Sequence, residues 1–417
     1  MGTIRGGAPR ARLAIYKVAW SGINGTKISN IDVLAAIDDA IKDGVDIISI
    51  SIGGGVINIA DIDEDKLFGI GSFHAISYGI SFIASGGNSG PDSYTVGATS
   101  PWVISVASSN SDREIVTPLT LGNNKTILAA GLIKGMQQAF APLVTFANIT
   151  CNQDPIIKYG QAKILEGKET YIKVPQFSSR GPNSFAPEIL KNLSKYYRSS
   201  NFRILTPGVN ILAAYPSHLG GDNGFKLMSG TSMAAPHVAE IVALLKAAHP
   251  DWSPAAIRSA LTTTAWNEDT YETEIYAEGT GGKLANPFDF GGGICNPNGA
   301  ADPGIVCPKE VPSRLDMNLP SISIPNLKDS VTIKRTVTNV GNVNSIYKLV
   351  VKPPRNVDIK VTPNVLKFNA KTKKISFKVK ITSTYQRSGK FTFGSLAWKD
   401  GKRFFRIPIA VRKQVDE

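Results

Sequence analysis

The sequence predicts an α/β domain built on a parallel sheet, interrupted once, and then a small all-β sandwich. Three observations carry that expectation. β-branched runs alternate with helical segments over the first hundred residues, and two of those runs end in glycine-rich stretches. Past Pro312 the apolar period changes from helical spacing to strict alternation.

Taken in order, Leu13-Ala14-Ile15-Tyr16-Lys17-Val18 reads as a buried strand. Ser29 or Asn30 can cap a helix whose Val33, Leu34, Ile37 and Ile41 share one face, and Gly44 ends it. Val45 to Ile50 is a second strand, Phe68 to Tyr78 a helical segment, Ile80 to Ala84 a third strand and Trp102 to Ser108 another. Parallel neighbours need a crossover, which the intervening helices supply. Ligands bind such sheets beyond the carboxyl ends of the strands. Ser51-Ile52-Gly53-Gly54-Gly55 and Ser85-Gly86-Gly87-Asn88-Ser89-Gly90-Pro91 stand there.

The stretch from Gly224 to Ala239 places Ser232 between small residues at the mouth of a long apolar helix. Gly230 permits a sharp turn, and the free N–H groups and positive dipole end of the helix favour negative charge beside the hydroxyl. A nucleophile is presented in this way, although a serine at a helix start is also an ordinary cap. His237 lies a turn and a half into the helix and reads as a buried, hydrogen-bonded structural histidine. Val238, Ile241, Val242 and Leu245 form one apolar face, whereas Glu240 shares a stripe with Ala243 and Ala247. That carboxylate is either buried without a partner, which is costly, or open to water.

Gly230-Thr231-Ser232-Met233-Ala234-Ala235-Pro236-His237-Val238-Ala239 resembles the nucleophile motif of the subtilisin-like serine proteases, the subtilases. Phe177-Ser178-Ser179-Arg180-Gly181-Pro182-Asn183 and Thr336-Val337-Thr338-Asn339-Val340-Gly341 extend the likeness to the plant, cucumisin-like branch. The resemblance implies a serine endopeptidase with Ser232 as nucleophile and Asn88 in the oxyanion hole. Asn-Ser-Gly-Pro is also good turn chemistry, so a turn asparagine is the other reading of Asn88. By the same resemblance Ser51, Ile52 and Gly53 pair with an extended substrate, and Ser85, Gly86 and Gly87 wall the specificity pocket. No cofactor and no metal site are expected.

The implied organisation is a catalytic domain in two parts, 1–116 and 175–308, around a shortened protease-associated remnant at 117–174. A fibronectin type III-like sandwich follows at 313–417. Asn192 to Phe202 departs from the family pattern and reads as a misjoined exon or retained intron. The triad aspartate and histidine motifs, Asp-Thr/Ser-Gly and Gly-His-Gly-Thr-His, do not occur; the four histidines are His74, His218, His237 and His249. The expectation is therefore an N-terminally truncated, incomplete catalytic domain. Its alternative function is that of an inactive peptide-binding or decoy fragment.

The formal net charge is +13, and from Lys309 onward 23 lysines and arginines face 7 carboxylates, an excess of +16 that leaves about −3 for the rest. Such an excess is ordinarily a solvated face; acidic polysaccharide or nucleic-acid binding is the lesser reading, and no nucleic-acid partner is expected. No apolar run is long enough to span a membrane, so no membrane partner is expected, and no signal segment opens the chain. Cys151, Cys295 and Cys307 have neither disulfide-framework nor metal-ligand spacing. The expected partner is a protein or peptide substrate. Extracellular localisation is implied by resemblance, and sequons at Asn24, Asn124, Asn148 and Asn192 agree with it as glycosylation candidates.

Overall fold

The computed structural model describes residues 5–22, 25–52, 62–121, 124–130, 140–142, 156–160, 163–166, 171–182, 203–217, 224–269, 271–279, 281–307, 318–384 and 390–413. Gly53, Asn24, Asn148, His218, Cys151 and the segment Asn192 to Phe202 lie outside them.

Five strands form the central sheet in the order Gly293–Ile294, Ile204–Pro207, Ile104–Ser109, Ser81–Ser85, Ile47–Ile50. All neighbours run parallel. Every residue of Ser81–Ser85 and Ile104–Ser109 is buried, as befits strands covered on both faces. Helices α1 (Asn30–Lys42) and α2 (Ile62–Ser77) bury Val33, Ile37 and Ala75 with Phe82 and Ala84. Helix α3 (Thr231–Ala248) and α4 (Pro254–Thr264) pack Val238, Val242 and Leu261 with Ile83, Val106 and Ile204. Alternation along the strand explains why Ile83 serves one cluster and its neighbours the other. Burying each of the valine, leucine, isoleucine and phenylalanine side chains among them contributes about 1.5–3 kcal/mol.

Local signals set the helix ends. Ser29 stands at the N-cap of α1 in extended conformation, and Gly44 follows the helix at φ 72°, where a side chain is disfavoured. Ser253 Oγ accepts the Ala256 N–H at 3.2 Å, and Pro254 occupies the first turn of α4, where its missing N–H costs nothing.

One expected strand does not form. Residues 11–18 are irregular, with Leu13 and Ile15 84% and 82% exposed, while Tyr16 and Val18 pack on the α1/α2 cluster. A β-branched run becomes a strand only when a neighbour accepts its ladder, and among the described residues no strand pairs with this one.

The interruption at 113–166 holds a separate antiparallel sheet of Arg113–Leu121, Thr126–Ala130, Phe140–Pro142, Ile156–Tyr159 and Lys163–Glu166. Past it the C-terminal region forms a sandwich of a four-stranded and a five-stranded sheet. In Lys374–Ser383 the residues Phe377, Val379 and Ile381 are buried and the lysines between them exposed, which is the alternation read from sequence. Tyr347, Trp398, Phe405 and Ile407 complete that core. Phe391 and Phe393 instead clamp Phe288 edge-on at ring distances of 4.9 and 5.0 Å. The strand Ile305–Val306 pairs with Thr338 and Asn339, so the sandwich draws one short strand from before residue 313. Among the described residues no helix is long and apolar enough to cross a membrane.

Candidate active site

Ser232 is the second residue of α3, directly beyond the buried Gly230 and Thr231. Two loops meet it, each leaving the carboxyl end of a central strand. From the first, the Ser51 carbonyl accepts the Ser232 hydroxyl at 3.3 Å, and Ser51 Oγ donates to the Ser232 carbonyl at 2.9 Å. From the second, Asn88 Oδ1 accepts both the Thr231 N–H at 2.8 Å and the Thr231 hydroxyl at 2.9 Å. A backbone N–H can only donate, so the atom facing it is the amide oxygen, and among the described residues the Asn88 NH₂ is left as a free donor. Gly230 permits this closeness: a Cβ there would stand 3.4 Å from that nitrogen. Among the described residues the Ser232 N–H has no partner either, as is usual for the first turn of a helix.

Thr231 is the junction that sequence reasoning passed over. Its Oγ1 donates to Asn88 and accepts the Gly87 N–H at 3.2 Å, tying the loop to the helix end. Its place between Gly230 and Ser232 was the available signal. Gly87 has φ 100°, and a Cβ on it would meet Ser179 Oγ at 2.7 Å, so this loop position requires glycine. Ser179 Oγ in turn accepts the Ser89 N–H at 3.0 Å. Ser85 and Gly86 are buried, Ile52 is half-buried, and Ser51 and Asn88 are exposed.

Behind this loop lies a buried ionic cluster. Arg203 donates to the carbonyls of Ser179 and, at 2.9 Å, Phe288. Asp289 sits 3.8 Å from Arg180 and 3.0 Å from Lys283 and also acts on Arg203, while Glu278 adds a second carboxylate's pull on Arg180. Burial pushes the Arg203 guanidinium down to about 9, with Arg180 adding to the push and Asp289 opposing it. Arg180 stood inside a recognised motif; Arg203 and Asp289 carried no sequence signal of their own.

The described histidines are engaged away from Ser232. His74 Nδ1 lies 3.3 Å from Asp38, His237 Nδ1 2.9 Å from the Met233 carbonyl, and His249 Nε2 2.8 Å from the Ala301 carbonyl. His237 is thus the hydrogen-bonded helix residue expected, half-buried rather than fully enclosed. Glu240 follows neither expectation: it is half-buried and accepts the Gly7 N–H at 2.6 Å, with Gly6 and Gly7 lying against the carboxylate.

A serine on a helix N-terminus, facing two loops from the ends of parallel strands, is an arrangement that comparison with known proteins can place. The subtilase family profile matches residues 1–293, and a fibronectin type-III domain profile matches 316–411. The chain belongs to the subtilase family. Among its relatives, the subtilisin-like protease SBT3.6 of Arabidopsis thaliana is 39% identical over 535 residues, covering 99% of this chain and 68% of that protein. The subtilisin-like protease SBT3.11 of the same plant is 40% identical over 519 residues, covering 100% and 67%. Of solved structures, the prenylagaramide maturation protease PagA is 19% identical at a TM-score of 0.40, covering 72% of this chain and 76% of its own. Its relatives are of the plant, cucumisin-like branch, and the family is one of serine-type endopeptidases, which act on protein substrates.

Proposed function

We propose that in this subtilase Ser232 is the nucleophile and that the Asn88 NH₂ and the Ser232 N–H receive the oxyanion. The observation that supports this most is the pair of hydrogen bonds that Thr231 donates to Asn88 Oδ1, which turns the amide's donor end toward the space beside the helix start. Attack joins Ser232 Oγ to the substrate carbonyl carbon and moves the carbonyl electron pair onto oxygen, where a free amide donor and the helix N-terminus stabilise it. The departing hydroxyl proton passes to an imidazole that an aspartate orients. Extended substrate adds as a strand along Ser51 to Gly53, and Ser85, Gly86 and Gly87 wall the pocket for its side chain. Residues 117–174 are proposed as the shortened protease-associated region. The product is proposed to act outside the cell, with Asn24, Asn124, Asn148 and Asn192 as glycan sites; of these Asn124 is exposed in a turn.

A second reading, a peptide binder without turnover, is favoured for the 417-residue chain by the engagement of its described histidines with Asp38, Met233 and Ala301. Loss of the triad histidine costs about 10⁶ in kcat, a figure that itself comes from a subtilisin. A fluorophosphonate probe separates the two. Labelling of Ser232 requires an activated hydroxyl and supports the catalytic reading; an unlabelled chain that still retains an extended peptide supports the binding one.

A further inference from the structure

A cavity of about 950 Å³ lies where the protease region meets the sandwich, lined by residues of both. Its protease wall presents Glu268 and Glu272; its sandwich wall presents Lys352, Lys402 and Arg406. Each wall also contributes an aromatic ring, Trp266 at 47% exposure and Phe404 at 38%. The only ion pair across the walls among the described residues joins Asp302 to Arg403 at 2.9 Å. Glu268, Glu272, Lys352 and Lys402 make none among those residues.

Arg406 singles this cavity out as more than a gap between domains. Its side chain is 5% exposed and donates through one terminal nitrogen to the Gly292 carbonyl, while Nε has no partner. Among the described residues no carboxylate offsets its burial, which pushes the guanidinium down to about 10. A buried cation of this kind is stabilised by an incoming anion, since an uncompensated charge in low dielectric is costly.

We propose that this cavity binds a peptide segment carrying charges of both signs around an apolar or aromatic residue. The acidic group seats toward Arg406, Lys352 and Lys402, the basic group toward Glu268 and Glu272, and the apolar residue between Trp266 and Phe404. A purely anionic polymer meets two unpaired carboxylates on the facing wall, and a purely cationic one meets three cations. The volume falls within the range of ligand sites, and domain junctions are where such sites concentrate.

The test uses the full chain and fluorescence anisotropy with three labelled tetrapeptides that share a leucine-tyrosine centre. One is flanked by lysine and aspartate, one by two lysines and one by two aspartates. The expected result is that the bipolar peptide binds at least tenfold more tightly than either homopolar one. Lys402→Glu and Glu272→Lys, both exposed changes, each weaken it by about tenfold, the effect of a 1.4 kcal/mol loss. Trp266→Ala weakens it without altering the circular dichroism. The proposal is overturned if the bipolar peptide does not bind, if heparin or single-stranded DNA competes at equal charge concentration, or if neither charge reversal changes its affinity.

Discussion

Asn88 Oδ1 and the Thr231 N–H are 2.8 Å apart, and that bond orients the amide, because the backbone nitrogen has only a proton to offer. The same bond caps α3 from outside its own chain segment, since Gly230 at the N-cap has no side chain with which to do so. A single side chain thereby serves stability through its oxygen and is free to serve chemistry through its nitrogen.

The two ends of Asn88 can be separated. Asn88→Ala should destabilise the chain by about 1–2 kcal/mol, the value of a lost helix cap, read as a lower urea midpoint at constant slope. Asn88→Asp keeps an acceptor for Thr231 and should stay within about 0.5 kcal/mol of the parent. Where turnover is measured, the aspartate variant should still lose about 10²–10³ in kcat, a magnitude taken from a subtilisin, with KM little changed. Equal losses of stability in both variants would remove the assignment.

Asp289 is a buried carboxylate among buried Arg180, buried Arg203 and Lys283, and Glu278 also acts on Arg180. Asp289→Asn should cost about 3–5 kcal/mol, because breaking a buried pair strands the remaining charges. It also weakens the bond from the Asn286 N–H to Asp289 Oδ2 at 2.8 Å, which helps start the short helix Pro287–Phe290. A urea-melt change below about 1 kcal/mol would show that solvent reaches the cluster.

Burial pushes the Cys295 thiol up to about 12; it pushes Cys307 up to about 11, with Arg335, Ser259 and Arg258 pulling the latter back. Both folded values lie above the unfolded thiol value of about 8.5, so the unfolded state loses protons first as pH rises. Their contribution to stability is therefore complete below about pH 8.5 and declines toward pH 11 to 12. Iodoacetamide at pH 8 should leave both unmodified in the folded chain and modify both in urea. Mass spectrometry of the peptides checks this, and rapid native labelling of either would contradict its burial.

Ser232→Ala should leave peptide hydrolysis by the 417-residue chain unchanged, because the hydroxyl donates to the Ser51 carbonyl and its base is not among the described histidines. Retention of an extended peptide by both forms, with no cleavage by either, is the expected outcome of a binding and turnover assay. Cleavage that disappears with the substitution would mean that another group in this chain accepts the proton.

Much of the architecture was legible because it rests on local patterns. The alternation in Lys374–Ser383, the glycine-rich strand ends, the Ser253-Pro254 start of α4 and the long motif around Ser232 are written in contiguous residues. Backbone sterics and side-chain period read such patterns the same way in any context. They determined the two fold classes and singled out the serine and the asparagine as candidates. Tertiary structure alone decided what depends on groups far apart in the chain: that Gly7 meets Glu240, that Thr231 turns the Asn88 amide, and that Arg203 reaches the Ser179 carbonyl. These are pairings of one donor with one acceptor across roughly 24 to 233 positions. Hydrogen bonds are short-ranged and directional, so their partners exist only once the fold has brought them together.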